Sequence, residues 1–167
     1  MERMVRIAVD LVNAGELPAV ESAEAFLRAH EEPEPVEITR HDLAGINAVR
    51  ERLRPVFGAE PAEAARLLNG LLRDYAVRPY LTEHDGTPWH LHVAEPDAGW
   101  AEWLAAQTAL ALAGFAASHG FGALAECAAA DCRQVFVNST PKRPKRFCTP
   151  TCAGRTRVAA YRARRAQ

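Results

Sequence analysis

The chain has 167 residues, of which 49% are apolar and 25% charged, values ordinary for a globular protein. No apolar run approaches the roughly 20 residues that a membrane span needs. The opening Met1 to Asp10 holds no long apolar stretch ending in a small-residue cleavage site, so the expectation is a soluble protein of the reducing cytoplasm. The formal net charge of -1 conceals a division: Cys127 to Gln167 carries ten Lys and Arg against a single acid, Asp131, whereas the residues before Cys127 carry ten basic and twenty acidic side chains. Eighteen of the 20 basic residues are Arg, a bias given no functional weight because it accompanies many alanines.

In chain order, Ile7 to Asn13 is apolar and reads either as a short strand or as the start of a helix. Glu21 to His30 reads as a helix with Ser22 available as its N-cap, closed by the turn-prone Glu31-Glu32-Pro33-Glu34-Pro35. From Asp42, Leu43, Ile46, Val49, Leu53 and Val56 recur at helical spacing as far as Phe57-Gly58. Pro61 then occupies a first helical turn, and Ala64, Leu67, Leu68, Leu71 and Leu72 form the apolar stripe of a helix ending near Tyr75. Arg78 to Thr82 and Trp89 to Val93 are extended, and Asp85-Gly86 between them signals a hairpin turn. The spacing predicts a long helix over Ala98 to His119, packed through Trp100, Trp103, Leu104, Leu110, Leu112 and Phe115 and stopped by Gly120. The fold class is therefore α+β: a mainly helical N-terminal domain with a β-hairpin over residues 1–122, then a small unit over 123–167 with a short hairpin and a terminal helix.

All four cysteines fall in this second unit as C-x4-C (Cys127, Cys132), fifteen residues, then C-x3-C (Cys148, Cys152). Two close pairs can each supply one edge of a tetrahedron from a tight turn, which is what a structural zinc ion requires. Free buried thiols, two disulfides and an iron–sulfur cluster are the alternatives. A reducing compartment disfavours disulfides, and nothing flanking the cysteines suggests electron transfer. Four thiolates close the metal's shell, so one structural Zn2+ is expected rather than a catalytic one. Between the pairs, Gln134 to Asn138 alternates like a strand, and Cys152 falls near the start of the terminal helix.

The stretch from Cys127 to Arg165 resembles the CGNR zinc-finger family through Phe136-Val137-Asn138, Arg146-Phe147-Cys148-Thr149 and Cys152-Ala153-Gly154-Arg155. In the last of these, Ala153 and Gly154 stand where the family's signature has Gly and Asn. Asp10-Leu11-Val12-Asn13, followed by helices, a hairpin and a long helix, resembles the N-terminal ABATE domain that members of that family commonly carry. The resemblance implies a bacterial transcription regulator linked to stress, with DNA as partner and no enzymatic activity; the first domain is expected either to sense an unknown small-molecule effector or to mediate assembly.

Independently of the resemblance, Lys142, Arg143, Lys145 and Arg146 in a turn, and Arg155, Arg157, Arg162, Arg164 and Arg165 on the terminal helix, form a basic surface suited to phosphate. Arg155 and Arg162 share a face, as do Arg157 and Arg164. The rival readings are a solvated helix face, a tail docked on the acidic first domain, and a zinc-dependent protein–protein interaction adaptor without DNA contact. An enzyme would need a polar pocket around Asn13, His90 or His92. Surface histidines, core tryptophans at Trp100 and Trp103, and a hydrogen-bonding or capping Asn13 are the plainer readings of those residues. No phosphate-cradling glycine loop, nucleophile elbow or carboxylate pair stands out.

Overall fold

The computed structural model describes residues 2–75, 77–84, 87–95, 97–139 and 144–165, leaving aside the side chains of His84, Thr87 and His90. The Asp85-Gly86 turn signal and the basic residues Lys142 and Arg143 lie outside the described residues.

Helix α1, Glu2–Ala14, buries Met4, Val5, Ile7, Ala8, Leu11 and Val12. The opening segment is therefore a helix. The periodicity that decides the matter begins at Met4 and Val5, ahead of the stretch in which strand and helix looked equally possible. Helix α2, Val20–Ala29, is capped by the backbone of Ala19, whose carbonyl accepts from the N–H groups of Ser22 and Ala23. Ser22 thus sits inside the first turn and is not the cap. Helix α3, Arg40–Leu53, starts two residues before Asp42 because Asp42 is the third residue of a capping box closed by Thr39. A 3-10 turn, Arg54–Val56, follows, and then α4, Pro61–Asp74, with proline in its first turn.

Strands β1, Tyr80–His84, and β2, Thr87–His92, pair antiparallel, with Leu81 opposite Leu91. Helix α5, Trp100–His119, is the spine: Leu104, Ala105, Ala109 and Leu112 are fully inaccessible, and α1, α3 and α4 all pack on it. Its alanine-rich surface lets α3 come close. A Cβ added at Gly45 would lie 2.6 Å from that of Ala101, so this crossing requires glycine on α3. Gly120, at φ +82°, ends the helix in a conformation that L side chains rarely adopt.

After a second 3-10 turn, Phe121–Ala123, strand β3, Leu124–Glu126, pairs antiparallel with β4, Val135–Val137, in the register Leu124 to Val137 and Glu126 to Val135. The hairpin therefore straddles the first cysteine pair, and its second strand, β4, is the one that falls between the two pairs. Leu124 and Val135 belong to the same buried core as α1, α3, α4 and α5. Helix α6, Pro150–Arg165, closes the described chain, and Cys152 is its sole buried residue.

Candidate metal centre

Three segments bring the cysteines together. Cys127 continues β3, and its N–H donates to Gln134 O at 2.9 Å. Cys132 sits at the end of a tight turn closed by its N–H on Ala129 O, 3.0 Å. Cys148 and Cys152 flank the start of α6, where the Thr149 hydroxyl accepts from the Cys152 N–H at 3.2 Å and Pro150 supplies a first helical residue that needs no donor.

The four Sγ atoms all lie within 4.8 Å of one another, with Cys132 to Cys148 at 3.7 Å and Cys148 to Cys152 at 3.6 Å. Zinc with sulfur at about 2.3 Å gives a tetrahedron with edges of about 3.8 Å, so the donor set suits one structural zinc ion. Ala129, Phe136 and Phe147 pack around the cysteines as a small apolar shell. The thiols are unequal. Burial and the neighbouring thiols push Cys148 up to about 12, while hydrogen bonds from Thr149 and Arg155 hold Cys152 down at about 6.

Around this shell are residues that the cysteine spacing alone does not reveal. Arg155 donates one guanidinium nitrogen to Cys152 Sγ at 3.5 Å, and another forms an ion pair with Asp131 Oδ2 at 2.8 Å. Asp131, the lone acid of the C-terminal segment, is thereby explained. The Asn138 carboxamide accepts from Lys145 N–H at 2.9 Å and donates to Lys145 O at 3.2 Å, and Ala128 N–H donates to Arg146 O. These bonds tie the strand side of the module to the segment entering the second cysteine pair. Asn138 closes the Phe-Val-Asn motif, so that motif was its signal. For Thr149, the Thr-Pro step before Cys152 was the signal, since it is a helix start.

Beside the shared core, three polar contacts among the described residues fix the module to the helical domain. The Asn13 carboxamide bonds both backbone groups of Val135, Gly58 N–H donates to Leu124 O at 2.9 Å, and Arg54 pairs with Glu126. Beyond Thr156, every described residue of α6 is exposed. Arg157, Arg162 and Arg164 are exposed and carry no ion pair among the described residues, so the tail is not docked on the acidic domain there. Arg165 donates to the Tyr161 hydroxyl at 3.2 Å, Arg146 lies over the Phe147 ring, and Lys145 is exposed. In the first domain, the His92 ring packs on Tyr80. Trp100 and Trp103 meet edge to face at 5.7 Å and border a cleft of about 310 Å³ with Glu32 and Asp42. Among the described residues the cysteines are the one cluster able to hold a metal, and no helix is long and apolar enough to cross a membrane.

A helical domain sharing its core with a four-cysteine, zinc-suited module that carries a basic helix defines a zinc-finger protein. Family models give the particular family. Residues 5–131 match ABATE, described as "Putative stress-induced transcription regulator", and residues 124–165 match the CGNR zinc finger. The chain belongs to the ABATE family and ends in a CGNR zinc finger. The two matches share residues 124–131, the stretch where β3 and Cys127 serve both the common core and the metal centre. Both are regulatory or zinc-finger families, not enzyme families. No curated protein matches the chain.

Proposed function

We propose that the protein is a cytoplasmic DNA-binding transcription regulator in which residues 123–167 grip duplex DNA while residues 1–122 sense an effector or mediate assembly. The observation that carries this reading is the arginine set on α6: Arg157, Arg162 and Arg164 stand exposed and, among the described residues, without an ion-pair partner, on a helix held to the body through Cys152. An unpaired guanidinium in water retains its full attraction for phosphate, whereas an arginine spent on an internal ion pair does not. Lys145 and Arg146 extend the same charge beside the metal centre, bordering a groove of about 340 Å³ at the start of α6. Zinc's part is structural: it would hold Cys127, Cys132, Cys148 and Cys152 together and so fix the direction in which α6 leaves the domain.

The test is affinity for random duplex DNA over a salt series, comparing the zinc-loaded wild type with Arg157, Arg162 and Arg164 together changed to Ala. The expected result is steep loss of binding with salt, with the slope reduced by about 0.9 for each phosphate contact removed. Absence of binding at low salt overturns the reading.

A further inference from the structure

Helix α6 carries two bulky side chains that no other element covers: Val158 is 50% exposed and Tyr161 52%, with only the Arg165 guanidinium of the same helix over the Tyr161 ring. They are three positions apart and therefore share a face, which Arg165 continues. Arg155 and Arg162 lie along one side of that face, and Arg157 and Arg164 along the other. The helix thus presents an apolar stripe between two rows of arginine, with the small residues Thr156, Ala159, Ala160 and Ala163 at its back.

Charge decides what can cover this stripe. A second copy laid stripe to stripe would bring like rows of guanidinium groups together, and no acid follows Asp131 to separate them. A duplex groove has the opposite arrangement: two phosphate rows flank a floor of base edges. The major groove is about 12 Å wide, enough to admit one helix, and its floor carries the thymine methyl groups. We propose, on the basis of the DNA-binding reading above, that the exposed part of α6 enters the major groove, with Val158 and Tyr161 meeting base edges while the flanking arginines hold the two phosphate rows. Val158 supplies a purely apolar contact of the kind a thymine methyl takes. The Tyr161 hydroxyl oxygen accepts from Arg165, which leaves its proton for an acceptor on a base. Arg155, held by Cys152 and Asp131, belongs to the root of the helix and sets its direction.

The experiment uses the full-length, zinc-loaded chain. A binding sequence is selected from a randomised duplex library, and affinity for it and for random duplex is measured for the wild type and for Val158→Ala/Tyr161→Ala. Both side chains are solvent-exposed, so the variant is expected to fold and to hold its metal. The expected result is a preference for the selected sequence that drops by about tenfold or more in the variant, while affinity for random duplex and its salt slope are kept. Replacing thymine by deoxyuridine in the selected site should weaken the wild type by about fourfold per contacted methyl and leave the variant unaffected. If the variant keeps the wild-type preference, or if the wild type binds random duplex but enriches no sequence, the stripe does not read bases and phosphate binding still stands. If the wild type binds no duplex at all, the inference falls together with the reading on which it rests.

Discussion

The side chain of Asn13 completes the edge of strand β4: its Nδ2 donates to Val135 O at 2.9 Å and its Oδ1 accepts from Val135 N–H at 2.8 Å. A carboxamide has the donor and acceptor of a peptide unit, so Asn13 stands in for the neighbouring strand that β4 lacks on that side. The same device recurs where Asn47 bonds both backbone groups of Leu17 and where Asn138 bonds both of Lys145. The first of these joins α1 to the metal module, across 122 residues of chain.

Replacing Asn13 by Ala should therefore leave both groups of Val135 without their partner, at a cost of about 1–3 kcal/mol. Asn13→Asp should not rescue, because a carboxylate can accept from the N–H but cannot donate to the carbonyl. Denaturant unfolding of zinc-loaded protein checks this, and equal stability of Asn13→Ala and wild type would show that the clamp contributes nothing.

The contact between Gly45 and Ala101 makes a second prediction. Gly45→Ala should destabilise by about 1–3 kcal/mol, since the new methyl meets Ala101 at 2.6 Å and α3 must move off α5. Adding Ala101→Gly should recover part of the loss. Additive effects in the double-mutant cycle would argue against direct crowding.

His30 makes the pH prediction. Its ring is buried, 7% exposed, against Phe26, with Nδ1 unpartnered. Burial lowers its pKa below 6.5; Asp10, whose Oδ2 is 3.6 Å from Nε2, opposes that shift, and Arg6 and Arg3 add to it. The folded state thus holds the proton less well than the unfolded chain. The stabilisation is complete above about 6.5 and is lost as pH falls from there through the lowered folded value. In thermal melts below pH 6.5, wild type should lose stability faster than His30→Gln at fixed zinc, and parallel profiles would contradict the assignment.

Much of this arrangement was legible in the sequence. Helix α4, the hairpin of β1 and β2, and α5 follow from apolar spacing, from Pro61 and from Gly120, because each of these acts locally. The cysteine spacing likewise announces the metal site. What was hidden depends on contacts distant in sequence. Ser22 is a good cap by type, yet the chain enters α2 through Ala19. The strand β3 is only three residues long, too short for a period to show, and it is defined by pairing with β4 and by Gly58. Arg155 looked like one more cation of the basic helix, and only the fold brings Asp131 and Cys152 to its guanidinium.

That placement has a consequence for metal retention. Four thiolates around Zn2+ leave the centre negatively charged, and Arg155 offsets that charge from beside Cys152. Arg155→Ala should lose zinc to a competing chelator about tenfold or more readily than wild type, with Arg155→Lys intermediate. Unchanged retention in both would restrict Arg155 to the outer basic surface.

The most direct test of the account is the metal content of the full chain purified without chelator, alongside Cys148→Ser. The account predicts about one zinc per wild-type chain, loss of that zinc in the variant, and selective unfolding of the segment after Val137 when the metal is removed. Wild-type protein that carries no zinc, or that keeps this segment folded through complete metal removal, would contradict it.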